Sequence, residues 1–297
     1  MITFKQYYTV LSEGGNAVAG VVGIYQENSI ATVNDIFKKY GPLLKITKED
    51  MAILGSTGKK APNAISGDID IAVSAPALLK NNELNSFNEI MDYIVEAAKK
   101  LGHAYRDLRN LGIISVGYPI VNVDGRQPNM IVQLDFMVVE SVKFASWSYF
   151  SPSHLQSQLK GLYRNELNHA VAKYAGFNVT MVHDDLKPIE WDRMWFDLKS
   201  GLHKGSQTLL SPKTGKVVKS PTVKSKEHVS DDADMIVKIL YGDKYVANDI
   251  LTFEQGFKAV MSQSFPHKKY RKEILDMTAT GIKDKGYPVP DILANEL

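Results

Sequence analysis

Apolar residues along this chain recur at two spacings, one typical of helices and one typical of strands. Helical spacing over residues 30–40 predicts a helix that ends at Gly41-Pro42, and the same spacing predicts a second helix over Glu83–Leu101. The short apolar run Met51–Leu54 and the β-branched run Asp68–Ser74 predict strands. The first third of the chain is therefore predicted to alternate helices with strands.

The pattern changes beyond Phe150. Before it, two strands are predicted over residues 113–123 and 130–139, joined by a polar turn. After it, helical spacing dominates. It includes the positions of Trp191, Trp195 and Phe196, which are predicted to lie in a core. The helical patterns beyond Phe150 cover residues 154–174, 233–240, 252–261 and 269–277. The simplest division is one domain at residues 1–150 and a mostly helical region at residues 151–297.

Two carboxylates share one face of the predicted strand 68–74. Asp68 and Asp70 alternate with Ile69 and Ile71, so the aspartates point one way and the isoleucines point into a core. Neighbouring carboxylates raise one another's pKa unless a cation lies between them. Ligand sets made only of oxygen favour Mg²⁺ or Mn²⁺ over zinc. Taken alone, this run is equally compatible with the solvated face of an edge strand.

A third carboxylate and a small-residue turn extend the pattern. Asp135 stands between Leu134 and Phe136 on the last predicted strand, and if the two strands are neighbours it joins the pair. Three carboxylates suit two metal ions about 3.5–4 Å apart. Upstream, Gly55 and Ser56 form a turn whose backbone N–H groups and hydroxyl can approach the β- and γ-phosphates of a triphosphate. The combination predicts metal-dependent phosphoryl transfer.

These residues resemble a known family. Leu54-Gly55-Ser56, then eleven residues, Asp68-Ile69-Asp70-Ile71 and a distant Leu134-Asp135-Phe136 are similar to the motifs of the DNA polymerase β nucleotidyltransferase superfamily. The resemblance covers about residues 30–150. It implies an α+β fold, in which a nucleotidyltransferase palm of mixed β-sheet flanked by helices is followed by a mostly helical region. It also implies transfer of a nucleoside monophosphate from an NTP to an acceptor hydroxyl, with release of pyrophosphate.

The resemblance assigns roles to the carboxylates and to the turn. Asp68 and Asp70 are expected to ligate both metal ions, Mg²⁺ or Mn²⁺. Asp135 is expected to complete the second metal site and to accept the proton of the attacking hydroxyl. Gly55 and Ser56 are expected to hold the triphosphate.

Basic residues are the remaining candidates for the nucleotide site. Lys59 and Lys60 follow the turn and are expected to meet triphosphate oxygens or the acceptor, with a solvated loop as the alternative. Lys160 and Arg164 are one helical turn apart and could reach a triphosphate together, as basic residues of the helical region do in this superfamily. An exposed helix face is the alternative for this pair.

Composition narrows the class of protein. A formal charge of +2, 44% hydrophobic residues and 23% charged residues are those of an ordinary globular protein. The absence of cysteine excludes a disulfide framework and thiolate metal sites. No apolar run approaches the roughly 20 residues needed to span a bilayer. The first five residues lack the pattern of a secretory signal, so a cytoplasmic protein is predicted.

The acceptor is indicated only by local charge. Residues 198–226 contain seven lysines and no acidic residue, which predicts a mobile lysine-rich loop or β-ribbon that would attract nucleic-acid phosphates; a solvated flexible segment is the alternative. The favoured acceptor is an RNA, such as a tRNA-like 3′ end, or another nucleic-acid 3′ end. The alternative acceptor is a protein or a small molecule. The alternative to an enzyme is a non-catalytic nucleic-acid-binding module that keeps the fold.

Overall fold

The computed structural model describes residues 17–182, 188–211 and 213–297. The chain divides between Gln158 and Leu159 into two compact units. The first contains a mixed five-stranded sheet flanked by helices, and the second contains helices and a four-stranded sheet. The α+β fold class predicted from the sequence is therefore confirmed. Within the described ranges, no helix is both long enough and apolar enough to cross a membrane.

The first unit is built around its main sheet, with strand order β2-β4-β7-β6-β5. Its strands are β1 (Ile24–Tyr25), β2 (Met51–Ile53), β3 (Ile65–Ser66), β4 (Asp68–Ser74), β5 (Tyr105–Leu108), β6 (Ile113–Pro119) and β7 (Ile131–Val139). Its helices are α1 (Gln26–Leu44), α2 (Ala75–Asn82), α3 (Phe87–Lys100) and α4 (Val142–Ser148). β4 and β7 run parallel, and the other neighbours in the main sheet run antiparallel.

Alternation along β4 separates the core of this unit from its polar face. Ile69 and Ile71 are completely buried, whereas Asp68 and Asp70 point to the opposite face and are partly exposed. The buried stripes of α1 and α3 join the same core as the two isoleucines. Each isoleucine contributes about 1.5–3 kcal/mol by its burial. A register slip of one residue would bury the aspartates instead, so the hydrophobic pattern fixes which face carries them.

The ends of several elements differ from the prediction. α1 begins at Gln26 and continues through Gly41-Pro42, which the spacing predicts as its end; it stops at Leu44, where Lys45 adopts a left-handed φ of 51°. The hydrophobic pattern does not predict α2. That helix begins because the Ser74 side chain accepts a hydrogen bond from the Ala77 N–H, with a proline in the first turn.

The second unit contains a sheet that the pattern predicts only in part. Its strands, in the antiparallel order β11-β10-β9-β8, are β8 (Asn178–Val182), β9 (Pro188–Asp197), β10 (Gly201–Leu210) and β11 (Val217–Ser230). Its helices are α5 (Gly161–Ala175), α6 (Ala233–Tyr241), α7 (Phe253–Met261), α8 (Arg271–Asp284) and α9 (Asp291–Ala294). Residues 198–226 form most of β10 and β11, which is the β-ribbon alternative and not a loop. The helix predicted through Trp191, Trp195 and Phe196 is wrong, since these residues lie on β9.

Candidate metal and nucleotide site

The parallel pairing of β4 with β7 brings three carboxylates together. Asp70 lies opposite Asp135 in the register, and Asp68 precedes Asp70 by two residues on the same face. Each of the three offers a carboxylate oxygen, and these oxygens lie within 4.8 Å of one another. In the part of the chain that the structure describes, no other group of three acidic or histidine side chains is arranged to hold a metal ion.

The surroundings of these carboxyl groups oppose their ionisation. Burial, followed by the charges of Asp68 and Asp135, raises the pKa of Asp70 to about 8. Burial and the charge of Asp135 raise the pKa of Asp68, and the positive charge of Lys60 opposes this rise. Burial also raises the pKa of Asp135. Without a cation, the cluster therefore keeps a proton near neutral pH, and a divalent cation would have to displace it.

Gln133 orients Asp135. It lies two residues earlier on the same face of β7, and its amide nitrogen donates hydrogen bonds to both carboxylate oxygens of Asp135, each at 3.1 Å. The amide oxygen of Gln133 accepts a hydrogen bond from the Ala17 backbone N–H at 2.8 Å. Sequence reasoning missed this residue. The two-residue spacing that pairs Asp68 with Asp70 would also have placed Gln133 beside Asp135.

The turn after β2 lies directly against Asp70. The Leu54 N–H donates to the Asp70 carbonyl oxygen at 2.9 Å. Gly55 has a φ of +60°, and a Cβ built there would lie 3.0 Å from Asp70 Oδ2. Glycine is required both for the backbone conformation and for the close approach. The Gly55 N–H donates to the Tyr149 carbonyl oxygen at 3.3 Å, so it is not open to a phosphate.

The residues after Gly55 offer backbone donors instead. The Lys59 N–H donates to the Ser56 carbonyl oxygen at 3.0 Å, which closes a tight turn. Over the described ranges, the N–H groups of Ser56, Thr57 and Gly58 donate to no acceptor. The Thr57 hydroxyl donates to the Asp68 carbonyl oxygen at 3.3 Å and so ties the turn to β4. Three consecutive N–H groups in a turn can hold the oxygens of a phosphate.

The predicted basic residues occupy different surroundings. Lys59 lies in the first unit, with its Nζ 4.5 Å from the centre of the Phe150 ring. Lys160, in the second unit, is exposed at the start of α5, and its Nζ lies 3.5 Å from the Tyr287 hydroxyl.

Arg164 is completely buried in the second unit. Its guanidinium lies 3.5 Å from the carbonyl oxygens of Ile250 and Leu251. Burial lowers the pKa of Arg164 to about 10. The alternative of an exposed helix face is therefore wrong for this residue.

The comparisons with known proteins found distant structural likeness. Neither protein-family models nor curated proteins gave a match. A crystal structure of Leishmania infantum polymerase beta in a ternary gap complex aligns with 99% of this chain and 74% of its own chain, at 14% identity and a TM-score of 0.38. A ternary P/T complex of the same polymerase aligns with 99% of this chain and 83% of its own, at 13% identity and a TM-score of 0.37. At this level of similarity, the roles of residues must come from the geometry of the site.

Proposed function

We propose that this chain is a metal-dependent nucleotidyltransferase, which moves a nucleoside monophosphate from an NTP to an acceptor hydroxyl and releases pyrophosphate. The observation that carries the proposal is the cluster of Asp68, Asp70 and Asp135, whose carboxylate oxygens lie within 4.8 Å of one another. The adjoining turn supports it, because Gly55 packs closely against Asp70, where a Cβ would lie 3.0 Å from the carboxylate oxygen. The order of these motifs along the chain supports the same reaction.

The donor set of the cluster fits magnesium or manganese. All three side chains offer only oxygen, which these hard cations prefer, and their repulsion is what a divalent cation relieves. We assign Asp68 and Asp70 to two ions and Asp135 to the second of them. When bound, the ions would neutralise charge on the triphosphate and lower the pKa of the acceptor hydroxyl.

The protein's own groups bind the nucleotide and move one proton. The Ser56 hydroxyl and the N–H groups of the turn hold the β- and γ-phosphates, and Lys59 adds positive charge beside them. Asp135, oriented by Gln133, accepts the proton of the attacking hydroxyl. Lys160 lies in the second unit and stays a prediction from the sequence. Arg164 is not retained as a contact of the triphosphate, because its guanidinium is buried among backbone carbonyls.

The proposed acceptor is a nucleic-acid 3′ end, with RNA favoured, in the cytoplasm. Support comes from β10 and β11, where most lysines of residues 198–226 are exposed. The first unit is the proposed catalytic domain and the second the proposed substrate-binding domain.

Incubation with each α-labelled NTP, Mg²⁺ or Mn²⁺, and total cellular RNA, DNA or protein tests this function. We expect label in RNA and released pyrophosphate with the wild-type chain, and neither with Asp68→Asn or Asp70→Asn. The matched control is Glu140→Gln, an exposed carboxyl in the same unit, which should remain active. Label in the protein fraction would correct the acceptor alone. Pyrophosphate release unchanged by the aspartate variants, or calorimetry showing no Mg²⁺-dependent NTP binding, would refute the reaction.

A further inference from the structure

One face of the sheet in the second unit carries alternating aromatic and cationic side chains. Trp191, Arg193 and Trp195 occupy every second position of β9, so they share a face at intervals of about 6.6 Å. All three are partly exposed. The guanidinium carbon of Arg193 lies 5.0 Å from the centre of the Trp195 ring, within the range of a cation–π contact.

The aromatic character continues onto the neighbouring strands. Trp195 lies opposite His203 of β10, and His203 lies opposite His228 of β11. The two histidine rings are 5.3 Å apart, centre to centre, in an edge-to-face arrangement. His228 is exposed at the edge of the sheet. A row of three rings therefore crosses the sheet at the level of Trp195.

A cationic row lies next to this aromatic row. Arg193 is opposite Gly205, and Gly205 is opposite the exposed Lys226. A Cβ at Gly205 would lie 1.9 Å from the Ser225 carbonyl oxygen, so the space between the two cations cannot be filled by a side chain. Among the described residues, no salt bridge joins Arg193 or Lys226 to a carboxylate. Burial and the charge of Arg193 lower the pKa of Lys173.

The opposite face of the same sheet is balanced in charge. Lys204, which faces Met194 across the register, pairs with Glu227 at 3.5 Å. Lys224 pairs with Glu190 at 2.8 Å. Cations that stand between aromatic rings and form no salt bridge are thus a property of one face, although its Asp197 carboxylate lies close enough to Lys226 to have its pKa lowered by that charge. We call this surface the Trp191 face: Trp191, Arg193, Trp195, His203, Gly205, Lys226 and His228.

We propose that the Trp191 face binds a single-stranded segment of nucleic acid. Its rings offer stacking surfaces for unpaired bases, and Arg193 and Lys226 lie where phosphates between those bases would need positive charge. Charge complementarity favours a polyanion. The partly exposed rings favour a single strand, because a duplex keeps its bases inside and would leave the rings unused. Only one part of this inference rests on the proposed function, namely the identification of the bound segment as part of the acceptor.

Binding of a single-stranded oligoribonucleotide of about 12 nucleotides tests the inference, with EDTA present and NTP absent. Stacking should quench tryptophan fluorescence, since two of the three tryptophans lie on this face and the third, Trp147, is buried in the first unit. Trp195→Leu should weaken binding by about 5- to 150-fold, whereas Trp195→Phe, which keeps an aromatic face, should stay within about threefold of the wild type. Equal affinity of all three proteins would overturn the inference.

Two lysine substitutions form a matched pair on opposite faces. Lys226→Ala and Lys204→Ala each remove one exposed lysine from neighbouring strands, so they change net charge equally. Lys226→Ala should weaken binding and reduce the slope of log affinity against log salt by about 0.7, as expected for one lost phosphate contact to a single strand. Lys204→Ala should do neither. Equal effects, or equally tight binding of a duplex, would show non-specific attraction and overturn the inference.

The assay separates this inference from the proposed reaction. Because it contains neither NTP nor divalent cation, strand binding without any pyrophosphate release in the activity assay would refute only the nucleotidyltransferase proposal. Conversely, transfer to RNA by Trp195→Leu with the wild-type KM for RNA would refute only the role of the Trp191 face. If Trp195→Leu fails to fold, Trp195→Phe and the lysine pair still decide.

Discussion

Replacing Asp70 with asparagine should stabilise the metal-free protein and remove its response to magnesium. The pKa of Asp70 is raised to about 8 by burial and by the charges of the neighbouring aspartates. Because this pKa lies above that of the unfolded chain, the contribution of Asp70 to stability is fully present below about pH 4 and is lost as the pH rises toward about 8. Asparagine has nearly the same shape and carries no charge, so the substitution removes this loss.

The size of the effect follows from proton linkage. Between about pH 4 and pH 7, the unfolded chain has released this proton and the folded protein has kept it, which lowers the free energy of unfolding by about 1.36 kcal/mol per pH unit. The upper bound at pH 7 is therefore about 4 kcal/mol. Relaxation of the surrounding groups reduces it, and we expect Asp70→Asn to gain about 1–2 kcal/mol, or about 2–8 °C in the Tm of the first unit.

Thermal melts at pH 5 and pH 8, in EDTA and in Mg²⁺, measure both parts of this prediction. In EDTA, the variant should melt above the wild type, and by more at pH 8 than at pH 5. Added Mg²⁺ should raise the Tm of the wild type at pH 8 and leave that of the variant unchanged. Glu140→Gln, which also converts a carboxyl to an amide, should behave as the wild type. The reasoning is refuted if Asp70→Asn melts below the wild type in EDTA at pH 8, or if its Mg²⁺ response is intact.

Three further substitutions separate the roles of individual residues. Gly55→Ala should abolish pyrophosphate release, because the added methyl group meets the Asp70 carboxylate. The control Gly102→Ala has a similar φ of +69° but open space around it, so it should lower the free energy of unfolding by only about 1–2 kcal/mol and leave activity intact; equal activity losses in the two variants would contradict this. Gln133→Met should raise the pKa of Asp135 by removing two hydrogen bonds to its ionised form, so Mg²⁺ binding followed by calorimetry should move to higher pH, and an unmoved profile would count against it. Arg164→Ala should lower the free energy of unfolding by about 2–3 kcal/mol in denaturant titrations and leave NTP affinity unchanged; weaker NTP binding at unchanged stability would return Arg164 to the nucleotide site.

The carboxylates of β4 can be predicted from sequence because the information is local. Asp68 and Asp70 alternate with completely buried isoleucines, and this alternation sets the bounds and the facing of the strand. The position of Asp135 is not local. Its place beside Asp70 depends on the parallel pairing of β4 with β7, which two helices and two strands separate along the chain. The residues predict this place only on the condition that the two strands are neighbours, and the family resemblance supplied that condition.

The sheet of the second unit was harder to predict for a physical reason. Trp191 and Trp195 are four residues apart, a spacing that puts two side chains on one face of either a helix or a strand. The intervening Arg193 distinguishes the two, but a charged residue between tryptophans does not look like part of a buried face. On β11, residues 217–228 are nearly all exposed on both faces. The sequence of this strand therefore shows no alternation of apolar and polar residues from which a strand could be predicted.

The orientation of the Gln133 amide beside the carboxylate cluster depends on a backbone group that is distant in sequence. The Ala17 N–H, 116 residues away in sequence, occupies the amide oxygen of Gln133 and so leaves its nitrogen facing Asp135. Ala17→Pro would delete that donor, and a half-turn of the amide would then set oxygen against oxygen. The hydrogen bonds run in one direction, from the Ala17 N–H through the Gln133 amide to Asp135. This direction determines whether Asp135 meets a donor or an acceptor.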